Sequence, residues 1–233
     1  MKKLMTLTLI GLICSLGTVA ADDQWHTIFD GKSLKNWDGN PKFWSVQDGA
    51  ITGTTTKDNA TNGNTFIIWK GGTTANFELV LDFKIQGGNS GIQYRSFKKG
   101  GKNDGWRIGG YQGDFEAGDR YSGICYGEGF RGILSDRGFK TTLTMVDGKL
   151  QKKAEKFGDS KEIGKAVKKG DWNNYKIVAN GFHFEHYING VKTMELIDND
   201  EKTRRADGLL ALQLHAGPPM VVQFKNIKMR VLK

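Results

Sequence analysis

The sequence predicts an all-β protein, an antiparallel β-sandwich with one or two short helices in its loops. Three observations predict it. Short runs alternate apolar and polar residues with period two, most cleanly Phe77, Leu79, Leu81, Phe83 and Ile85 against Glu78, Val80, Asp82 and Lys84. Pairs that favour positive φ, Asp48-Gly49 and Asn189-Gly190, join such runs as hairpin turns. Finally, 32 glycines stand against three prolines, a composition of many turns joining short strands. No repeat, linker or heptad pattern interrupts the chain, so one domain over residues 22–233 is the economical reading.

The first 21 residues read as an address. Lys2 and Lys3 precede an apolar run over 4–16, and Val19-Ala20-Ala21 offers small residues for cleavage. Ile13 before Cys14 does not make a lipobox, so a plain signal peptide and a secreted or periplasmic protein are expected. Cys125 is then the only cysteine, which excludes an internal disulfide and a multi-thiolate zinc site. It reads as a small buried hydrophobe. No other apolar run is long enough to span a membrane. The net charge of +9 gathers in clusters at 98–107, 149–156 and 161–169. Solvated faces account for these; an acidic polysaccharide or cell-surface partner is the alternative, and nucleic acid is not expected.

In chain order, a short strand is expected over 25–29, then a glycine turn leading to a packing Trp37. Residues 44–53 form a hairpin and 54–64 a polar loop. Strands follow over 65–70, 76–85 and 88–96, then a basic loop over 97–108 and a strand over 109–116. Strands over 122–126 and 130–134 flank Gly127-Glu128-Gly129, which places Glu128 on a tight exposed turn. A strand over 141–146 leads through Asp147-Gly148 into 149–157, read as a short helix, and a second lysine-rich segment covers 160–169. Strands over 175–179, 182–188 and 191–197 complete the middle of the chain. The strand from Leu209 carries Leu210, Leu212 and Leu214 on one face and Gln213 and His215 on the other. Gly217 and Pro218-Pro219 stop it, because proline has no N–H for a ladder. A last strand runs over 220–231.

Three of these strands carry polar groups in alternation: Asn89, Gln93 and Arg95; Gln112, Asp114 and Glu116; Gln213 and His215. If they share the free face of one sheet, they line a groove suited to a hydroxyl-rich ligand such as an oligosaccharide. Ordinary solvent-facing positions would show the same pattern, and a single bulge would reverse the parity. His215 suits acid–base work because imidazole titrates near neutral pH. Asp114, Glu116 and Glu128 are candidate acid–base groups or ligands for a divalent cation, the one cofactor left open. His183 and His186 face opposite ways in a strand, so they do not share a metal. The Trp106-Arg107 and Trp172-Asn173 pairs offer rings that either stack on sugar or cap the core.

FDGKSLKNW with WSVQDGAITG, then NSGIQYRS, GYQGDFE, YGEGFRGIL, DWNNYKIVANG with HYINGVKT, and LLALQLHAGPPMVVQFKNIKM run in this order over residues 25–233. The ordered set resembles the 3-keto-disaccharide hydrolase domain family. The resemblance implies a concanavalin-like jelly-roll sandwich, export, and cleavage of 3-keto-glycosides. In that chemistry a base removes the C2 proton that the C3 ketone acidifies, the enolate expels the C1 oxygen, and water adds to the unsaturated sugar. It further implies His215 as base or acid, Arg95 with Gln93 near the keto oxygen, Asp114 or Glu128 as partner acid or cation ligand, and an upstream sugar 3-dehydrogenase. Glucanases of the same fold carry Glu-x-Asp-x-Glu, whereas here Gln112 precedes Asp114-x-Glu116. An ordinary retaining glycosidase, which needs two carboxylates ~5–5.5 Å apart, is therefore disfavoured. A non-catalytic lectin-like module, dependent on aromatics such as Trp106 and Tyr111, is the remaining alternative.

Overall fold

The computed structural model describes residues 24–100 and 105–233, so the expected signal segment lies outside the described residues. The first strands are β1 (His26–Thr27), β2 (Trp37–Asp38), β3 (Trp44–Gln47), β4 (Ala50–Thr55), β5 (Thr65–Trp69) and β6 (Phe77–Gln86). Next come β7 (Asn89–Lys98), β8 (Ile108–Glu116), β9 (Cys125–Glu128), β10 (Gly132–Ser135), β11 (Phe139–Val146) and β12 (Lys149–Lys156). After the helix α1 (Ser160–Gly164) follow β13 (Asn173–Asn180), β14 (His183–Ile188), β15 (Val191–Asp198), β16 (Leu209–Leu214) and β17 (Met220–Val231).

The strands form a jelly-roll β-sandwich. One sheet of ten runs β12-β11-β15-β14-β13-β6-β17-β4-β3, with β1 beside β17; the other, of seven, runs β10-β9-β8-β7-β16-β5-β2. Pairing is antiparallel except for β11 against β15. The alternating side chains of β6 meet those of the smaller sheet between the layers: Phe83 stacks on Phe115 with centroids 4.0 Å apart, and Phe77 meets the edge of Tyr94 at 5.8 Å. The core also holds His186, whose imidazole bonds Tyr94 Oη at 3.0 Å and Tyr175 Oη at 3.2 Å. Burial pulls its pKa down to about 3, so it stays neutral, a packed hydrogen-bonding residue.

One element departs from expectation. Residues 149–156 are strand, not helix. Asp147 (φ 49°) and Gly148 (φ 74°) are both left-handed, which makes a type I′ turn, and that turn reverses the chain onto β11 in register Val146↔Lys149 to Phe139↔Lys156. Helical propensity of the lysines yields to this ladder. The helical turn comes one segment later, where Asp159 caps α1 by accepting from the N–H groups of Lys161 and Glu162. Cys125 is buried, with its thiol 3.6 Å from Tyr94 Oη and its pKa pushed up by burial to about 12, as befits an inert packing residue. Among the described residues no helix is long and apolar enough to cross a membrane.

Candidate functional site

Strands β8, β7 and β16 are neighbours in the smaller sheet, in that order. Directly paired residues share a face, so the registers Gln93↔Gln112 and Ala211↔Gln93, with Gln213 two residues beyond Ala211, set all three glutamines on the face turned away from the core. Their amides interlock. Gln112 Oε1 accepts from Gln93 Nε2 at 2.5 Å and Gln213 Nε2 at 3.1 Å; Gln112 Nε2 donates to Asp114 Oδ2 at 3.2 Å. Gln213 Nε2 also reaches Glu128 Oε2 at 3.4 Å, and Ser96 Oγ donates to Gln93 Oε1 at 2.8 Å. This amide network ends on two carboxylates and holds each in one orientation. Gly91, opposite Asp114, makes room for it: a Cβ there would stand 2.5 Å from the Gln112 side chain.

The outer face divides into a closed half and an open half. Phe66, Ile68, Ile108 and Ala211 close one half, with Leu209 and Trp106 packed on them. Backbone Phe66 N donates to Trp106 O at 3.0 Å, and Trp106 Nε1 donates to Asp38 Oδ1 at 2.8 Å. The open half is a cleft of about 590 Å³ lined by Asn64, Asn89, Gln112, Asp114, Glu116, Tyr121, Tyr126, Glu128, His215 and the 216–218 turn.

Three titratable groups dominate this cleft. Asp114 is almost fully buried, and burial, with the nearby charges of Glu116 and Glu128, outweighs hydrogen bonds from Asn89 Nδ2 (2.7 Å) and Gln112. Its carboxyl is pushed up to about 8, so it holds its proton at neutral pH. Glu128 accepts from Asn64 Nδ2 at 3.2 Å on one oxygen and from Gln213 on the other. His215, half-buried just after β16, has Nδ1 2.5 Å from Ala216 O. A carbonyl only accepts, so Nδ1 carries the proton and the lone pair of the neutral ring is on Nε2. Asn64 Oδ1 receives Ala216 N at 3.0 Å, tying the histidine turn to Glu128 through one amide.

Of the residues singled out in the sequence, Asn89, Gln112, Asp114, Glu116, Glu128 and His215 line the cleft, while Gln93 and Gln213 lie behind it as buried supports. Three others lie elsewhere. Arg95 has φ 44° at the β-bulge where the β7–β8 register shifts between Tyr94 and Phe97, and the bulge turns its side chain away from the groove face. Its buried guanidinium instead binds the carbonyls of Ala75, Gly181 and Arg205 and stacks 5.0 Å above Phe184. Tyr111 faces the core and donates to Asp198 Oδ2 at 2.5 Å, because its parity is that of Phe115. Trp106 belongs to the closed half. Glu128 is itself buried at a strand end instead of exposed on a turn, and Glu116 Oε1 is occupied by the N–H groups of Arg120 and Tyr121 at 2.6 and 2.9 Å. Trp172 lies under Lys84 and Lys225, whose ammonium groups stand 5.1 and 3.9 Å from its ring centroid.

Because Arg95 satisfies three buried carbonyls, Arg95→Met is expected to lower the unfolding free energy by about 3 kcal/mol. Urea denaturation checks this; an unchanged midpoint would refute the structural role.

Among the polar side chains of the cleft, Asn64, Tyr121 and Tyr126 escaped sequence reasoning. Tyr126, paired with Gln112, shares the face of Glu128, and the parity of β9 contains that signal. Asn64 had none, since its partners lie 64 and 152 residues away.

For a divalent cation the cleft offers the carboxyl groups of Asp114, Glu116 and Glu128, of which Glu116 caps a loop while Asp114 and Glu128 accept amide protons. The group of described residues with ligand atoms within 4.8 Å of one another is His183, Glu185 and Glu195 on the larger sheet, where Lys192 pairs with both glutamates and Lys140 with Glu195 at 3.0 Å.

Residues 24–230 match the 3-keto-alpha-glucoside-1,2-lyase-like domain. A 3-keto-disaccharide hydrolase of Bacteroides thetaiotaomicron is 37% identical over 84 residues, which are 31% of this chain and 27% of that protein. Among solved structures, a candidate glycosyl hydrolase of Parabacteroides distasonis superimposes with TM-score 0.56 at 23% identity, covering 90% of this chain and 100% of that one. A Bacillus subtilis protein of galectin-like fold gives 0.54 at 10% identity over 84% and 90% of the two chains. The carbohydrate binding module CBM66 from the same species gives 0.50 at 14% over 84% and 95%. These likenesses bear on the fold.

Proposed function

Because the chain belongs to the 3-keto-alpha-glucoside-1,2-lyase-like domain family, we propose that it is an enzyme cleaving 3-keto-glycosides by elimination and hydration in the cleft around Asp114, Glu128 and His215. One observation carries this reading: a histidine with its lone pair on Nε2 shares a cleft with a carboxylic acid that keeps its proton near pH 7. The Nε2 lone pair offers a base and the Asp114 carboxyl an acid, the two groups the reaction needs.

In this scheme His215 Nε2 takes the C2 proton, electrons move into a C1–C2 double bond, and the C1–oxygen bond breaks. Asp114 gives its proton to the departing oxygen. Water then adds across the double bond. Tyr126 takes the place earlier expected of Arg95 beside the keto oxygen. Burial and the charges of Glu128 and Asp114 raise its pKa, so it remains an O–H donor for the developing enolate. Glu128 stays fixed by Asn64 and Gln213 and holds the far side of the sugar. A ketone at C3 must come from a sugar 3-dehydrogenase acting earlier, and export would place both on glycans outside the cytoplasm.

The test is incubation with a chromogenic 3-keto-glucoside and, in parallel, its unoxidised parent, each with and without chelator. Release from the keto sugar alone is expected. Equal release from the parent would sink elimination, and loss of release with chelator would add a divalent cation to the site. The exposed ring of Tyr121 beside Tyr126 at the cleft favours a second reading, sugar capture without turnover. Binding of both sugars by calorimetry with no release from either would select it.

A further inference from the structure

The loop joining β8 to β9 has two sides. Glu116 and Tyr121 face the cleft, while Gly118, Asp119 and Ser122 line a separate cavity of about 430 Å³ with Arg137, Lys161, Lys165 and Lys169. Arg137, at 6% exposure, forms its inner wall. Its guanidinium binds only carbonyls: Ser160 O at 2.8 Å, Ser122 O at 2.7 Å and Asp119 O at 2.7 Å. Those three bonds leave two of its five N–H donors over.

Among the described residues no carboxylate bonds this guanidinium; Asp119, Glu116 and Asp136 act on it only through space. Asp119 is taken by Lys169 at 2.6 Å, Asp136 by Arg120 at 2.8 Å, and Lys165 already pairs with Glu162 at 2.7 Å. Lys161 has no ion-pair partner among the described residues, and it lines both this cavity and the adjoining one that Arg137 also borders. Two cations, one of them buried, therefore face a cavity whose acidic groups are already spoken for. A buried charge is costly unless paired, and a planar guanidinium with spare donors fits the oxygens of a carboxylate or sulfate.

We propose that this cavity is an oxyanion-binding site, separate from the cleft, in which Arg137 and Lys161 hold a sulfate- or carboxylate-type group. The proposal does not depend on the elimination chemistry, so the two stand or fall separately.

The test is titration of the whole protein with sodium sulfate at fixed ionic strength, followed by calorimetry and thermal shift with chloride as reference. Saturable sulfate binding is expected, weakened at least about tenfold by Lys161→Glu, the worth of one charge-assisted hydrogen bond. Lys161 is exposed on α1, so this variant keeps the fold; His215→Ala should leave sulfate binding unchanged. Sulfate acting no differently from chloride, or binding equally to Lys161→Glu, overturns the site. Glucose 6-sulfate and glucose distinguish the source: tighter binding of the sulfated sugar than of sulfate marks a sugar-borne anion, equal binding a free one. Equal binding of unsulfated glucose at this site would overturn the anionic class.

Discussion

Replacing His215 by alanine is expected to lower kcat on a 3-keto-glycoside by about 10²–10⁴-fold, the usual worth of a positioned general base. The effect should fall on turnover and spare binding, because the cleft's amides and tyrosines do not depend on the imidazole for their geometry. His215 touches the framework only through Nδ1 and its neighbour Ala216 O. The backbone of that turn is held independently by Asn64 Oδ1 on Ala216 N. Steady-state kinetics beside calorimetry on the same variant separates the two quantities. A loss of less than about tenfold would remove His215 from the proton transfer. A parallel collapse of binding would make it a sugar ligand instead.

The second large effect is expected at Asp114. Asp114→Asn keeps the size of the side chain but trades one accepting oxygen for an NH₂ and has no acidic proton to give, so turnover should fall by about 10²–10⁴-fold here too. The wild type should lose activity as pH rises through about 8, where Asp114 ionises, and the residual activity of the variant should lack that limb. Stability follows with a definite sign. The folded carboxyl binds its proton more tightly than an unfolded one of ordinary pKa 3.8, so its stabilising contribution is complete below 3.8 and fades as pH rises towards about 8. Asparagine has no such dependence. Between about pH 4 and about pH 8 the wild type should therefore lose urea resistance relative to Asp114→Asn. Parallel curves for the two proteins would contradict the raised pKa.

Most of the sandwich can be read directly from period two. Strands such as β6, β13 and β17 alternate because one face meets the other sheet, and their polar positions face solvent. The same rule brings Gln93, Gln112, Asp114 and Gln213 to one face, since parity survives as long as no residue is inserted. It breaks at Arg95, where a bulge and a left-handed backbone send an arginine into structural work that alternation assigned to the groove. It is silent on Asn64, because a loop residue reaching two distant strands leaves no periodic trace. Composition also misled at 149–156, where lysines suit helix and exposed strand alike and the Asp147-Gly148 turn decided between them. Burial of Glu128 depended on Asn64 and the histidine turn closing over it, contacts that a tight glycine turn does not announce.

Strand β12 has a consequence for how copies of this protein behave together. It ends the larger sheet with nothing among the described residues paired to its outer side, so a row of backbone groups is open to another chain. Four of its eight residues are lysines, and seven of the eight are exposed. A second molecule adding its own β12 there would stack ammonium groups in adjacent rows at strand spacing, about 4.8 Å apart. The other sheet ends in strands of four and two residues, too short to template much. What reads in composition as a basic cluster thus sets, at this edge, like charge against like charge wherever two copies would pair.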